Sequence, residues 1–208
     1  MRKKPLGSIL KPRERKAAEE RRPRIIVGVS GASGAVYAQR FLQQIAESGA
    51  VETHLVVTRN AKAVIAHELG SQTDLSSLAF QSYAPDDLMA PICSGSFATE
   101  GMIILPCSMK TLAGIASGYA DNLLLRAADV TLKEKRHLLL VPRETPLSPV
   151  HLENLTKLSN WGVHIFPACP GFYHHPRSLD DLIDQFVFRL LDALGLKTPL
   201  KRWGEPRS

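Results

Sequence analysis

The chain has 208 residues, 44% hydrophobic and 22% charged, the proportions of one ordinary globular domain, which excludes wholesale disorder. No run nears the roughly 18 apolar residues of a membrane-spanning helix. Three scattered cysteines, Cys93, Cys107 and Cys169, with no CxxC pair, argue against a disulfide framework and a cysteine zinc site. Residues 1–24 hold ten Lys/Arg against three Glu, and the remainder holds sixteen against seventeen acids, so the net +6 is a tail of +7 on a body of −1. Such a terminal run reads as solvated charge, not as a nucleic-acid footprint. It has no apolar core of a secretory signal, and Glu14, Glu19 and Glu20 count against a mitochondrial presequence. A reducing, cytoplasmic setting is expected.

After Pro23 the pattern changes. Ile25 to Val29 is a continuous apolar run, as in a strand buried on both faces. It ends in Ser30-Gly31-Ala32-Ser33-Gly34-Ala35, and Val36, Phe41, Leu42 and Ile45 then predict a helix to about Ser48, stopped by Gly49. Val51 to Thr58 predicts a second strand and Asn60 to Leu69 a second helix; polar residues 70–91 predict a long loop or short irregular pieces. Met102 to Pro106 reads as a third strand leading into Cys107-Ser108-Met109-Lys110-Thr111, with a helix from about Leu112 to Ser117 and another from Asp121 to about Lys135. Leu138 to Pro142 is a fourth strand. Ser148-Pro149 is an N-cap and first-turn pair for a helix to about Trp161, and Val163 to Pro167 is a fifth strand. Ser178 caps the last helix, Asp180 and Asp181 suit the positive end of its dipole, and Gly195 ends it. Strands alternating with helices predict an α/β fold, a parallel sheet covered on both faces. The expected organisation is a basic tail over 1–23, a single domain over 24–196 and an irregular C-terminal segment over 197–208.

Ligands of such sheets bind beyond the carboxyl ends of the strands. Small hydroxyl and glycine residues stand there, at Ser30 to Gly34 and Cys107 to Lys110, and such residues ahead of a helix offer backbone N–H groups to a phosphate. The first loop is neither GxGxxG nor a Walker loop, which favours a mononucleotide over a dinucleotide. A tight turn of small residues is the plain alternative. Lys110 near a helix start disfavours that alternative, because a cation there needs an anion or another partner.

The segments GVSGASGAVYAQRFL, ETHLVVT, SGSFATEGMIILPCSMKTLAGIASGYADNLLLRAADVTLKEKR, VPRETPLSPVHLENL and PACPGFYHHPRSLDDLIDQFVFRLLD closely resemble the UbiX flavin prenyltransferases, in register over residues 24–195. The resemblance implies a Rossmann-like, flavodoxin-type three-layer fold. It implies transfer of a dimethylallyl group from dimethylallyl phosphate to N5 and C6 of reduced FMN, without a metal. The product, prenylated FMN, is the cofactor of UbiD-type decarboxylases. It also implies a homo-oligomer, a dodecamer, with sites shared between subunits.

On that resemblance Gly31, Ala32 and Ser33 form the first flavin loop, with the Ser33 hydroxyl near N5 and the prenyl phosphate; helix capping is its plain alternative. Thr58 matches a flavin contact that is commonly Ser. Cys107, Ser108, Met109 and Lys110 match a segment on the flavin phosphate and ring, Cys107 itself reading as a packed residue. Arg126 matches a flavin contact, against a simple pair with Asp129. Ser94, Gly95 and Ser96 match a loop bordering the prenyl substrate. Lys133, Arg143, Tyr173 and Arg189 match the groups around its phosphate, where several cations and a phenol suit a dianion. Glu144 is placed to take the C6 proton. Trp203 resembles the aromatic that closes the site and can face an allyl cation. His174-His175 alone is weak evidence for a metal, and relatives commonly carry Arg where His175 stands. The alternatives are a flavin-dependent cysteine decarboxylase, whose PxMNxxMW-type segment the sequence lacks, and a flavin-binding subunit without catalysis.

Overall fold

The computed structural model describes residues 22–200 with Arg202 and Gly204. Six strands form one parallel sheet: β1 (Arg24–Val29), β2 (Glu52–Val57), β3 (Gln81–Tyr83), β4 (Gly101–Cys107), β5 (His137–Pro142) and β6 (His164–Ile165). Six helices cover it: α1 (Ala35–Ser48), α2 (Arg59–Leu69), α3 (Met109–Ser117), α4 (Leu123–Lys133), α5 (Pro149–Asn160) and α6 (Leu179–Ala193). The strand order is β3-β2-β1-β4-β5-β6. Set β3 aside and this is the flavodoxin-type order, with its reversal point between β1 and β4.

The central strands are apolar throughout because both faces are covered. In β4, Ile103 and Leu105 pack with Phe41, Leu42, Leu190 and the rest of the α1–α2–α6 layer. Met102 and Ile104 pack with Leu112, Leu123 and Leu124 of the opposite layer. The register of β4 on β5 slips between Ile104 and Cys107, where Pro106 has no N–H to give to the ladder.

Helix starts follow the sequence closely. Thr58, Ser108, Asn122, Ser148 and Ser178 each accept a bond from the first helical turn, a cap worth about 1 kcal/mol each. The left-handed φ of 59° at Gly49 ends α1, a conformation that costs glycine little. The structure adds β3 inside the segment expected to be a loop, and reduces the last strand to His164–Ile165. Arg22 and Pro23, within the expected tail, already touch the body: Arg22 lies near Glu52, and the Pro23 carbonyl accepts from Glu52 N. Residues 1–21 and Trp203 lie outside the described residues.

Candidate functional site

The carboxyl ends of β1 and β4 open the crevice at the reversal point. Ser30, buried at the end of β1, joins its two walls: its Oγ donates to the Pro106 carbonyl at 3.1 Å and accepts from Ser108 N at 2.7 Å. The carbonyl that Pro106 turns out of the irregular ladder thus becomes the anchor of the neighbouring loop.

Gly31, Ala32 and Ser33 continue from that anchor. A Cβ on Gly31 would come within 2.7 Å of Asn60 Cβ, so the loop lies against the first turn of α2 and only glycine fits. The N–H groups at the start of α1 are not open to a phosphate. Glu68, from the last turn of α2, accepts from Gly34 N at 3.0 Å and Ala35 N at 2.8 Å. Burial alone would raise the Glu68 pKa. Hydrogen bonds from the Ser33 side chain and the two backbone groups, with the field of Arg143, outweigh burial and hold the carboxyl below its ordinary range. Ser33 thus bonds Glu68 across the loop, and Arg143 acts on the same carboxyl through its charge. Glu68 went unread because a glutamate late in an amphipathic helix looks like solvated surface; its distance from Gly34 in sequence hid the contact.

The helix N-terminus that remains for an anion is that of α3. Ser108 Oγ caps Thr111 N at 3.3 Å, and the N–H groups of Met109 and Lys110 belong to the turn that a helix cannot satisfy itself. Lys110 is exposed beside them. Cys107 is fully buried, and burial pushes its thiol far above the ordinary range, so it packs and does not attack. Thr58 Oγ1 accepts from Ala61 N at 3.2 Å, and a hydroxyl that accepts can also donate. Arg143 N bonds the Cys107 carbonyl at 3.3 Å, which sets Arg143 and the exposed Glu144 on the rim. This donor set, a helix N-terminus with a lysine and hydroxyls on small-residue loops, fits a flavin mononucleotide.

The other expected residues lie elsewhere in the single chain. Lys133 ends α4 just before β5 begins, at the amino ends of the strands. Gly95 is there too: Arg136 donates to its carbonyl at 2.6 Å, and a Cβ on it would meet Glu134. Ser94 and Ser96 share a hydroxyl–hydroxyl bond of 2.8 Å in the same loop. The length of seven-residue β4, roughly 20 Å, separates this group from the crevice. Arg126, half-exposed, makes the i,i+3 pair with Asp129 at 2.7 Å.

Tyr173, in the segment before α6, and Arg189, on α6, form a third group. Gln185 Nε2 donates to Tyr173 Oη at 3.4 Å, and Arg189 stands one turn further on the same face, bonded to Asp192 at 3.1 Å. Both ring nitrogens of neighbouring His174 are buried with no hydrogen-bond partner among the described residues. One chain thus presents the crevice at the reversal point, a group about Lys133 and a group about Arg189.

The model of the family described as Flavoprotein matches residues 13–188. The chain is 50% identical over 193 residues to the flavin prenyltransferase UbiX of Halalkalibacterium halodurans, covering 87% of this chain and 93% of that protein. Among solved structures it resembles a dodecameric FMN-dependent UbiX-like decarboxylase from Escherichia coli O157:H7, with TM-score 0.84 and 52% identity over 88% of this chain and 100% of that one. It equally resembles AnUbiX (PadA1) crystallised with FMN and dimethylallyl pyrophosphate, with TM-score 0.85 and 45% identity over 90% and 100% of the two chains. Identity at this level over most of both chains means that the chain belongs to the UbiX family of flavin prenyltransferases.

Proposed function

We propose that the protein binds reduced FMN in the β1/β4 crevice and transfers a dimethylallyl group to it from dimethylallyl phosphate. The product is prenylated FMN, for use by a UbiD-type decarboxylase. The observation that carries this reading is the crevice at the β1/β4 reversal point, where Ser30 ties the first loop to Ser108 at the start of α3. A relative of the same fold, crystallised with FMN and a prenyl pyrophosphate, supports the choice of ligands.

The crevice residues divide the work. The first turn of α3, with Ser108 and Lys110, takes the FMN phosphate; Gly31, Ala32 and Thr58 seat the ring, and Arg126, outside this crevice and paired with Asp129 in the single chain, is a further contact once it leaves that pair. FMN supplies the nucleophilic N5 and C6. Ser33, oriented by Glu68, holds a hydroxyl at the ring edge. The allylic C–O bond of the prenyl phosphate breaks, and the phosphate leaves against Lys133, Arg143, Tyr173 and Arg189. Glu144 on the rim accepts the proton displaced from C6, and Trp203 shields the allyl group.

Lys133, with Ser94 and Gly95 near it, and the Tyr173–Arg189 group cannot reach the crevice of their own chain. A closed homo-oligomer, with sites where subunits meet, brings them there. The buried unpartnered imidazole of His174 and the exposed Phe172, Leu179 and Met89 fit surfaces that a second copy covers.

Separate titrations of FMN and dimethylallyl phosphate test the division. Arg189→Ala removes a cation facing a dianion. It is expected to weaken dimethylallyl phosphate by about tenfold or more, from the 1.5–3 kcal/mol of a charge-assisted bond, with FMN binding intact. Glu144→Gln keeps volume and loses the base, so turnover falls by about 100-fold or more while both ligands bind. Loss of FMN binding in Arg189→Ala, or normal turnover in Glu144→Gln, overturns these roles.

A further inference from the structure

After α6 the chain turns at Gly195, whose φ is 76°, and residues 196–199 run along a groove beside Gln44, Glu47 and Ser48 at the end of α1. Leu200 is buried. This anchor returns Arg202 to the flank of α6. Its Nη1 donates to Asp192 Oδ2 at 3.4 Å, its Nη2 bonds Oδ1, and Arg189 Nη1 donates to the same Oδ2 at 3.1 Å. Two guanidinium groups therefore share one carboxylate.

We infer that Arg202 is a further cation for the phosphate of the prenyl substrate, held beside Arg189 by Asp192. The inference rests on the reading that Arg189 meets that phosphate. The two nitrogens on Oδ2 can be no further apart than their two bond lengths combined, close enough for one phosphate to take a charge-assisted bond from each. The charges agree: two cations on one carboxylate leave a net positive pair, which would otherwise repel itself and which a monoester dianion complements. Arg202 bonding foremost, opposed by burial and aided by Arg189, holds the Asp192 carboxyl below its ordinary range, so the organising charge persists at neutral pH. The flanking order Tyr173, Gln185, Arg189, Asp192, Arg202 places a phenol at one end of the anion site and the C-terminal segment at the other. Asp192 is the positioning residue of the set.

The test is steady-state prenylation of FMN by the full chain, with dimethylallyl phosphate varied and inorganic phosphate as inhibitor, in Arg202→Gln, Arg202→Lys and Arg189→Ala. Arg202→Gln is expected to raise both the KM for dimethylallyl phosphate and the inhibition constant of inorganic phosphate by about tenfold. Its kcat, FMN affinity and thermal midpoint stay at the unsubstituted values, and Arg202→Lys recovers part of the loss. If Arg189→Ala raises both constants and Arg202→Gln raises neither, Arg202 only tethers the C-terminal segment and the inference fails alone. A fall in kcat or FMN affinity in Arg202→Gln without a change in phosphate inhibition also overturns it. Unchanged constants in Arg189→Ala overturn the underlying reading, and the inference with it.

Discussion

Single residues in this molecule take their meaning from distant partners. Ser33 and the turn at Gly34–Ala35 gather on the exposed Glu68 carboxylate, whose hydrogen bonds, with a smaller aid from Arg143, hold it below its ordinary range. His54 shows the same dependence at the β2 edge. Its Nδ1 lies 2.8 Å from Tyr83 Oη, and Phe80 and Phe97 stand edge-on to its ring. Burial first, then Arg24, lowers its pKa, opposed in part by Glu52. The folded protein resists a proton that the unfolded chain accepts below about pH 6.5. Stability is therefore full above that pH and falls as pH drops towards the lowered folded value. Denaturant unfolding should show a loss between pH 7.5 and pH 5.5, part of it, at most about 1.4 kcal/mol per pH unit, absent in His54→Gln. An identical pH dependence in the variant would show that His54 protonates as easily folded as unfolded.

At the scale of elements, the site depends on how closely loops approach helices. Gly31→Ala would push a Cβ into Asn60 and part the first loop from α2. The expected cost is about 1–3 kcal/mol of stability together with weaker FMN binding, read from the urea midpoint and a flavin titration; unchanged values for both would place the ligand away from this loop. Much of this scale was legible in the sequence. The caps at Ser148 and Ser178 and the apolar runs of β1, β4 and β5 are local signals, and the structure keeps them, whereas α3 starts at Met109 under a Ser108 cap, earlier than the expected start near Leu112. β3 was not legible, because its three residues are exposed or half-buried and carry no apolar run. The expected strand around His164 keeps only two paired residues, although Phe166 N still bonds the Leu140 carbonyl at 2.8 Å, because Pro167 has no N–H to continue the ladder. The crevice loops were visible as glycine and hydroxyl clusters. Glu68, Ser30 and the Asp192 pairings were not, because each depends on which elements the sheet order makes neighbours. The pairing of Arg126 with Asp129 was one of the two readings its i,i+3 spacing allowed.

For the whole molecule, the distribution of charge and apolar surface matters most. Among the described residues no helix is long and apolar enough to cross a membrane, and no group of three or more metal-binding side chains gathers. On the proposed roles, Lys133, at the amino ends of the strands, belongs to a site that a lone chain does not close. Light scattering should give a mass several times the 22.9 kDa of the chain, and dilution to monomers should abolish prenylation while the fold persists. An active monomer would contradict shared sites. The central claim, that this chain prenylates FMN, is tested most directly by mass spectrometry of the flavin after anaerobic incubation with reduced FMN and dimethylallyl phosphate. The account predicts a new flavin heavier by one prenyl unit, formed only with both substrates and lost in Glu144→Gln. Recovery of unmodified FMN alone, from protein shown to bind both ligands, would contradict it.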